Sequence, residues 1–326
     1  MAEIRPPQRV LVTGGAGFVG HRVVSELLAK GYQVVVADDL SNPQSVVEPG
    51  YDFLHADMGD PAAADDAFRG VDACIAMASR RGAIGYVHRH PGEILVGNNR
   101  IYSATFGAAK RAGVRRLVFV SSSMIYDSVE SFPAKESDAE TMAAPRSVFG
   151  FSKLIGERYC ETFESEGGPP YAIVRPSNVY GPEERPGRVA GDAHVIPDLF
   201  RKIMSGQRPV EIFGDGRQSR SFVHVDDVAR GMVMALESER AVNETFNLAG
   251  VDEISIIDLA RKMWALCGMT GALEMVTAPG FPQDVRRQSL AIGKARRLLG
   301  WEPQMPFDDG LAQVVAWLSR EYPRAA

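Results

Sequence analysis

The run Val10-Leu-Val-Thr-Gly-Gly-Ala-Gly-Phe-Val-Gly-His21 constrains this chain more than any other stretch. Val10 to Val12 is a short apolar run of the kind that forms a buried strand. Glycines follow at 14, 17 and 20, and Val23, Val24, Leu27 and Leu28 then recur at helical spacing. Strand, glycine turn and helix in that order set backbone N–H groups and a helix N-terminus against a pyrophosphate. Gly14 permits the tight turn, Gly17 lets the backbone approach the phosphate, and Gly20 lets helix and strand pack closely. A glycine-rich turn without a ligand is the bland alternative. Against it stands a second strand about twenty residues on, Val34-Val-Val-Ala-Asp-Asp39, which ends in acid. A carboxylate at that point accepts both hydroxyls of an adenosine ribose and repels a 2′-phosphate. Asp38, facing such a phosphate without a nearby arginine, argues for NAD over NADP.

With 326 residues and 45% apolar content, the chain can bury a full core in one large domain or two unequal ones. A net charge of −5 offers no basic footprint for nucleic acid. No apolar run approaches the ~18 residues that span a bilayer, so no membrane partner is expected. The opening Met1-Ala-Glu-Ile-Arg-Pro-Pro has no apolar signal-peptide core. Cys74, Cys160 and Cys267 are widely spaced and indicate neither a disulfide framework nor a zinc site. The expectation is a cytoplasmic protein without a metal.

The first half alternates strand and helix. Tyr51-Asp-Phe-Leu-His-Ala-Asp57 reads as a third strand, with Asp57 placed either to meet the adenine amino group or to cap the helix that starts at Pro61. Val71 to Met77 is a fourth strand, Ile101 to Ala112 an amphipathic helix, and Leu117 to Val120 a fifth strand. This alternation specifies an α/β fold, a Rossmann-type doubly wound parallel sheet, with ligands at the carboxyl ends of its strands. Asp38, Asp57, Ala78 and Ser121 all fall at such ends.

The fifth strand runs into Ser121-Ser-Ser-Met-Ile-Tyr126, and Phe149-Gly-Phe-Ser-Lys153 sets positions 149 and 153 on one helical face. With the glycine turn, these stretches resemble the extended short-chain dehydrogenase/reductase superfamily, in its NAD-dependent nucleotide-sugar epimerase/dehydratase branch. Arg175-Pro-Ser-Asn-Val-Tyr-Gly-Pro182, the run from Ile212 to Asp227 and Lys294-Ala-Arg-Arg-Leu-Leu-Gly-Trp301 extend the resemblance over nearly the whole chain. The resemblance implies a cofactor domain over 1–175, with a segment around 212–247 partly returning to it, and a smaller α/β substrate domain mainly over 176–326. It implies NAD held by Gly14, Gly17, Phe18, Val19, Gly20, Asp38, Asp57, Met58, Ala78, Asn99 (rather than Asn98), Lys153 and Pro176. It also implies a homodimer formed through the helices around 101–112 and 149–163.

One position departs from the family. Where the family carries Tyr-x-x-x-Lys, this chain has Phe149-x-x-x-Lys153. The tyrosine is the family's acid/base, brought from a reference pKa near ~10 towards working pH by the lysine and the nicotinamide charge. Phenylalanine keeps the ring and removes the oxygen. The intact surroundings favour a Tyr→Phe exchange introduced to trap substrate. A natural enzyme with another proton carrier, such as Ser122 or water, and a catalytically silent binding protein are the alternatives.

Ser122 matches the family's hydroxyl that bonds the reacting oxygen, while Ser121 and Ser123 suit strand-end backbone groups. Family dehydratases carry Asp-Glu where this chain has Ser123 and Met124, and GDP-mannose 3,5-epimerases carry a cysteine at the Met124 position. Neither substitute does acid/base work, which leaves 4-epimerisation as the implied reaction. A uronate decarboxylase or a 3,5- or 5-epimerase is the enzymatic alternative.

For the nucleotide-sugar substrate, the resemblance points to Asn178 and Val195, with Ser123 beside the sugar. Arg220 and Arg286 are phosphate candidates, since guanidinium matches phosphate oxygens bidentately. Glu183 to Asp192 reads as a loop closing over the sugar. Arg80, Arg81, His88 and Arg185 would suit an anionic sugar, or are solvated loop charges.

Overall fold

The computed structural model describes residues 8–42, 44–80, 84–187, 193–280 and 284–323. β1 (Arg9–Thr13) leads through the glycine turn into α1 (Phe18–Ala29) and β2 (Gln33–Asp38). β3 (Asp52–His55), α2 (Pro61–Ala67), β4 (Ala73–Ala76), α3 (Ile84–Arg89), α4 (Pro91–Ala112) and β5 (Arg116–Val120) follow. A single turn, α5 (Asp138–Thr141), precedes α6 (Val148–Ser165) and β6 (Tyr171–Pro176).

The helix expected from Ile101 starts instead at Pro91. Proline costs nothing at a first helical position, where its missing N–H has no intrahelical partner. Gly97, Asn98 and Asn99 break the apolar spacing there, which hides the first turns from a periodicity reading. Gly113, at φ 65°, ends the helix in the left-handed conformation.

The second half begins with β7 (Val179–Tyr180), α7 (Val195–Met204), β8 (Val210–Phe213), β9 (Ser219–Ser221) and β10 (Val223–His224). It continues through α8 (Val225–Glu237), β11 (Glu244–Leu248), β12 (Glu253–Ser255) and α9 (Ile256–Leu266). β13 (Met275–Ala278), β14 (Arg287–Gln288), α10 (Gly293–Leu299) and α11 (Phe307–Glu321) complete it.

Seven strands form one parallel sheet in the order β11-β6-β5-β4-β1-β2-β3. Alternate residues along each strand face opposite layers. Val10, Val12, Val34 and Val36 pack towards α1 and α8, while Leu11, Val35, Cys74 and Phe119 pack towards α2, α4 and α6. The stretch that re-enters this layer is α8 with β11, where Phe246 pairs in register with Val174. β8, whose last two residues fall within the 212–247 segment, pairs with β13 instead. A second core of Ile196, Leu199, Phe200, Leu259, Met263 and Leu311 lies under α7, α9 and α11.

Candidate active site

A cavity of about 780 Å³ opens at the carboxyl ends of the strands. It includes the point between β1 and β4 where the strand order reverses, the usual place for a ligand in such a sheet. Gly14 sits there at φ 71°, and a Cβ on it would stand 3.0 Å from the Ala78 backbone. A Cβ on Gly20 would meet the Gly14 carbonyl oxygen at 2.3 Å. The turn is therefore as tight as the sequence implies, and the start of α1 faces the cavity.

Asp38, at the end of β2, is buried. Its carboxylate accepts the Ala16 N–H at 3.1 Å and the Leu40 N–H at 2.9 Å. Burial raises its pKa against the pull of those two amides. Each oxygen keeps lone-pair capacity for a ribose hydroxyl. Asp57 lines the cavity and accepts the Gly59 N–H at 2.9 Å, whereas the cap of α2 is made by Asp60 to the Ala62 N–H at 2.9 Å. The capping role weighed for Asp57 thus belongs to Asp60.

At the reacting end, α6 lies directly on the turn that follows β5. A Cβ on Gly150 would fall 2.3 Å from the Met124 carbonyl oxygen. That close approach puts Phe149 and Lys153 beside Ser122, Ser123 and Met124 on the cavity wall. Lys153 is 3% exposed, donates to the Val120 carbonyl at 2.8 Å, and holds Nζ 5.7 Å from the Phe149 ring centroid. Ser122 Oγ accepts the Met124 N–H at 3.1 Å and so keeps its own proton to donate. Ser121 is structural: it donates to Glu157 at 2.5 Å, and Glu157 pairs with the buried Arg175 guanidinium at 2.7 Å. Ser123 Oγ accepts from Gln288 Nε2 at 2.9 Å.

The remaining wall comes from the second half. Asn178, at φ 43°, donates to the Ser221 carbonyl at 3.3 Å, and Val195 opens α7. Arg220 on β9 is buried and bonds Asp284 at 2.7 Å. Burial lowers its pKa, against the charge and hydrogen bond of Asp284.

Of the residues expected at the site, Gly14, Gly17, Phe18, Val19, Gly20, Asp38, Asp57, Met58, Ala78, Ser122, Ser123, Phe149, Lys153, Pro176, Asn178, Val195 and Arg220 all line this cavity. Two do not. Asn99 is exposed and accepts from Tyr159 at 3.2 Å, because the inward position on α4 belongs to Asn98, which is fully buried. Arg286 points outward to Asp215 at 2.6 Å, its side chain 64% exposed. Arg80 and Arg185, two of the charges weighed for an anionic sugar, line the cavity, and Arg80 stands beside Asp39, which corrects the reading that no arginine approaches the ribose end. Arg81, the side chain of His88 and residues 188–192 of the closing loop lie outside the described residues. Sequence reasoning missed Gln288, Gln218 and Lys202, all on the wall. Gln288 reaches Ser123 across 165 residues, a separation that leaves no local signal.

Residues 10–249 match the family model described as the NAD dependent epimerase/dehydratase family. The chain belongs to that family, within the extended short-chain dehydrogenases/reductases. It is 32% identical over 315 residues to a provisional UDP-glucose 4-epimerase of Methanocaldococcus jannaschii, covering 95% of this chain and 98% of that one. It is also similar to the UDP-glucose 4-epimerase of Thermotoga maritima solved with UDP-glucose, at 30% identity and a TM-score of 0.87, with 96% and 99% of the two chains covered. A dTDP-glucose 4,6-dehydratase variant of Streptomyces venezuelae solved with NAD gives 28% identity and a TM-score of 0.85, over 96% and 97% of the chains. NAD is the cofactor of the family, and the close-packed glycine turn with Asp38 behind it fits that dinucleotide. No helix among the described residues is long and apolar enough to cross a membrane.

Proposed function

We propose that the chain is built as an NAD-dependent epimerase of a nucleotide-diphosphate sugar, acting at C4 through a transient 4-keto intermediate and impaired by Phe149. One observation carries this reading: Phe149, Lys153 and Ser122 line the same cavity as the cofactor cradle and the buried Arg220. Bound NAD supplies reversible hydride acceptance, so a sugar carbon is oxidised and reduced without net consumption. Ser122 would donate a hydrogen bond from its hydroxyl to the sugar oxygen, without giving up the proton. Lys153 holds a positive charge against the ring at position 149. The Phe149 ring fills the volume of a tyrosine and has no oxygen to take the proton, so packing and cofactor binding survive while proton transfer does not.

Dehydration is disfavoured because Ser123 is engaged by Gln288 and Met124 offers only a thioether. Residues 1–175, with α8 and β11, would form the cofactor unit, and the rest of 176–326 the substrate unit. α4 and α6 expose Val96 and Phe151, and we assign a homodimer interface to that face. A monomer mass at micromolar concentration overturns this part.

The test is Phe149→Tyr, incubated with UDP-, GDP-, CDP- and dTDP-sugars and followed by NMR and mass. An isobaric product supports the proposal. Loss of water means a dehydratase, loss of carbon dioxide a uronate decarboxylase, and no product with any donor an NAD-binding sensor; each overturns it. The gain in kcat is expected to be at least ~10², with substrate Kd moving less than about tenfold, since the phenol acts chiefly in the transition state. Robust turnover by the Phe149 protein would assign the proton to Ser122 or water.

A further inference from the structure

Asp38 does not set the charge at the ribose end alone. The loop after β4 brings the Arg80 guanidinium to 3.5 Å from Asp39 Oδ2 in the loop after β2. Both residues line the cavity beside Asp38.

The rest of the fold holds this arginine in place. Asn98 accepts the Arg80 N–H at 2.6 Å, donates to the Arg80 carbonyl at 3.1 Å, and donates to Ser152 of α6 at 3.0 Å. Gly97 lies beneath the Arg80 stem, where a Cβ would stand 2.7 Å from Cγ. Asp39 is fixed as well: its Oδ1 accepts the Ser41 N–H at 3.0 Å and the Ser41 hydroxyl at 2.6 Å, which turns Oδ2 to Arg80.

Among the described residues, Asp38, Asp39 and Arg80 thus set two carboxylates and one guanidinium at the ribose end. A lone arginine at such a place accommodates a 2′-phosphate, because its planar donors match phosphate oxygens. Here that charge is taken up by a carboxylate that an NAD ribose does not need. We propose that Arg80 and Asp39 form a masked phosphate anchor that determines cofactor selectivity. With the pair intact, the end is net negative and accepts the diol of NAD. With Asp39 neutralised, Arg80 becomes a ligand for the 2′-phosphate of NADP.

The test titrates NADH and NADPH into the full-length protein and into Asp39→Asn, Arg80→Gln and the double variant, following nicotinamide fluorescence. Asp39→Asn is expected to tighten NADPH by about tenfold, as removal of one charge beside a phosphate at a partly exposed site allows. Arg80→Gln is expected to weaken NADPH on its own and to abolish the gain in the double variant. NADH titration of each variant reports that the cradle is folded, and Arg80→Glu supplies a second arm that should weaken NADPH further. An equal NADPH gain from Asp39→Asn with and without Arg80 overturns the proposal, as does no gain with Arg80 present. Both readouts are binding constants, so they stand whatever sugar chemistry the enzyme performs.

Discussion

Restoring one oxygen at position 149 probes the field that the site maintains around it. Lys153 Nζ lies 5.7 Å from the Phe149 ring centroid and is pinned to the Val120 carbonyl at 2.8 Å. A phenol oxygen on that ring would stand roughly 6 Å from an ammonium placed over its face, where unit charges interact by about 3 kcal/mol at an effective dielectric near 20. That attraction favours the phenolate and lowers the phenol's pKa. Position 149 is only half-buried, so solvent screening reduces the effect.

Burial works in the opposite direction, and a neighbour shows how far. The Tyr102 ring lies 5.8 Å from the same ammonium, yet full burial pushes its phenol well above the tyrosine range. Position 149 differs in facing the cavity, so the charge should win there. The Phe149→Tyr protein is therefore expected to gain a phenol that titrates below the ordinary tyrosine value of about 10. The assay is the ultraviolet difference spectrum between Phe149→Tyr and the parent as a function of pH. Adding Lys153→Met should return the phenol to about 10 or above. A new phenol that titrates at or above 10 with Lys153 in place, or one indifferent to Lys153, would refute the reasoning.

Three further outcomes follow from named contacts. Asp38→Ala should weaken NAD binding by about 1–3 kcal/mol in calorimetry, the range for hydrogen bonds to a charged group. Glu157→Leu removes the carboxylate partner of the Arg175 guanidinium, whose side chain is 5% exposed; urea unfolding should show a loss of about 3–5 kcal/mol, and a neutral result would mean that Tyr126 and the Glu136 carbonyl suffice for it. The Asp72 carboxyl is opposed by burial but held below its usual range by the Arg9 and Gln8 amides and by Arg115. A depressed carboxyl stabilises above the ordinary aspartate value and loses that contribution as pH falls. Asp72→Ala should therefore lower Tm at neutral pH, with the deficit closing as pH drops below about 4.

Short-range pattern determined the glycine turn and the acid behind it. The strand at Val10–Val12, the glycines at 14, 17 and 20 and the acid at 38 each act within one turn or one strand, so their spacing already contains their geometry. The i, i+4 pair Phe149 and Lys153 is legible for the same reason. Tertiary structure decided what spacing cannot. Asn98 and Asn99 are neighbours on one helix, and only the packing of α4 beside α6 chooses which amide turns inward to Arg80 and Ser152. Arg220 and Arg286 are first and second candidates for the same phosphate, with the same guanidinium chemistry. β9 and β14 are strands of three and two residues, too short to carry a period, and their pairing buries Arg220 while Arg286 turns out to Asp215. Arg80 meets Asp39 because parallel strands β1, β2 and β4 bring their carboxyl ends together, across a separation in sequence that no local pattern spans.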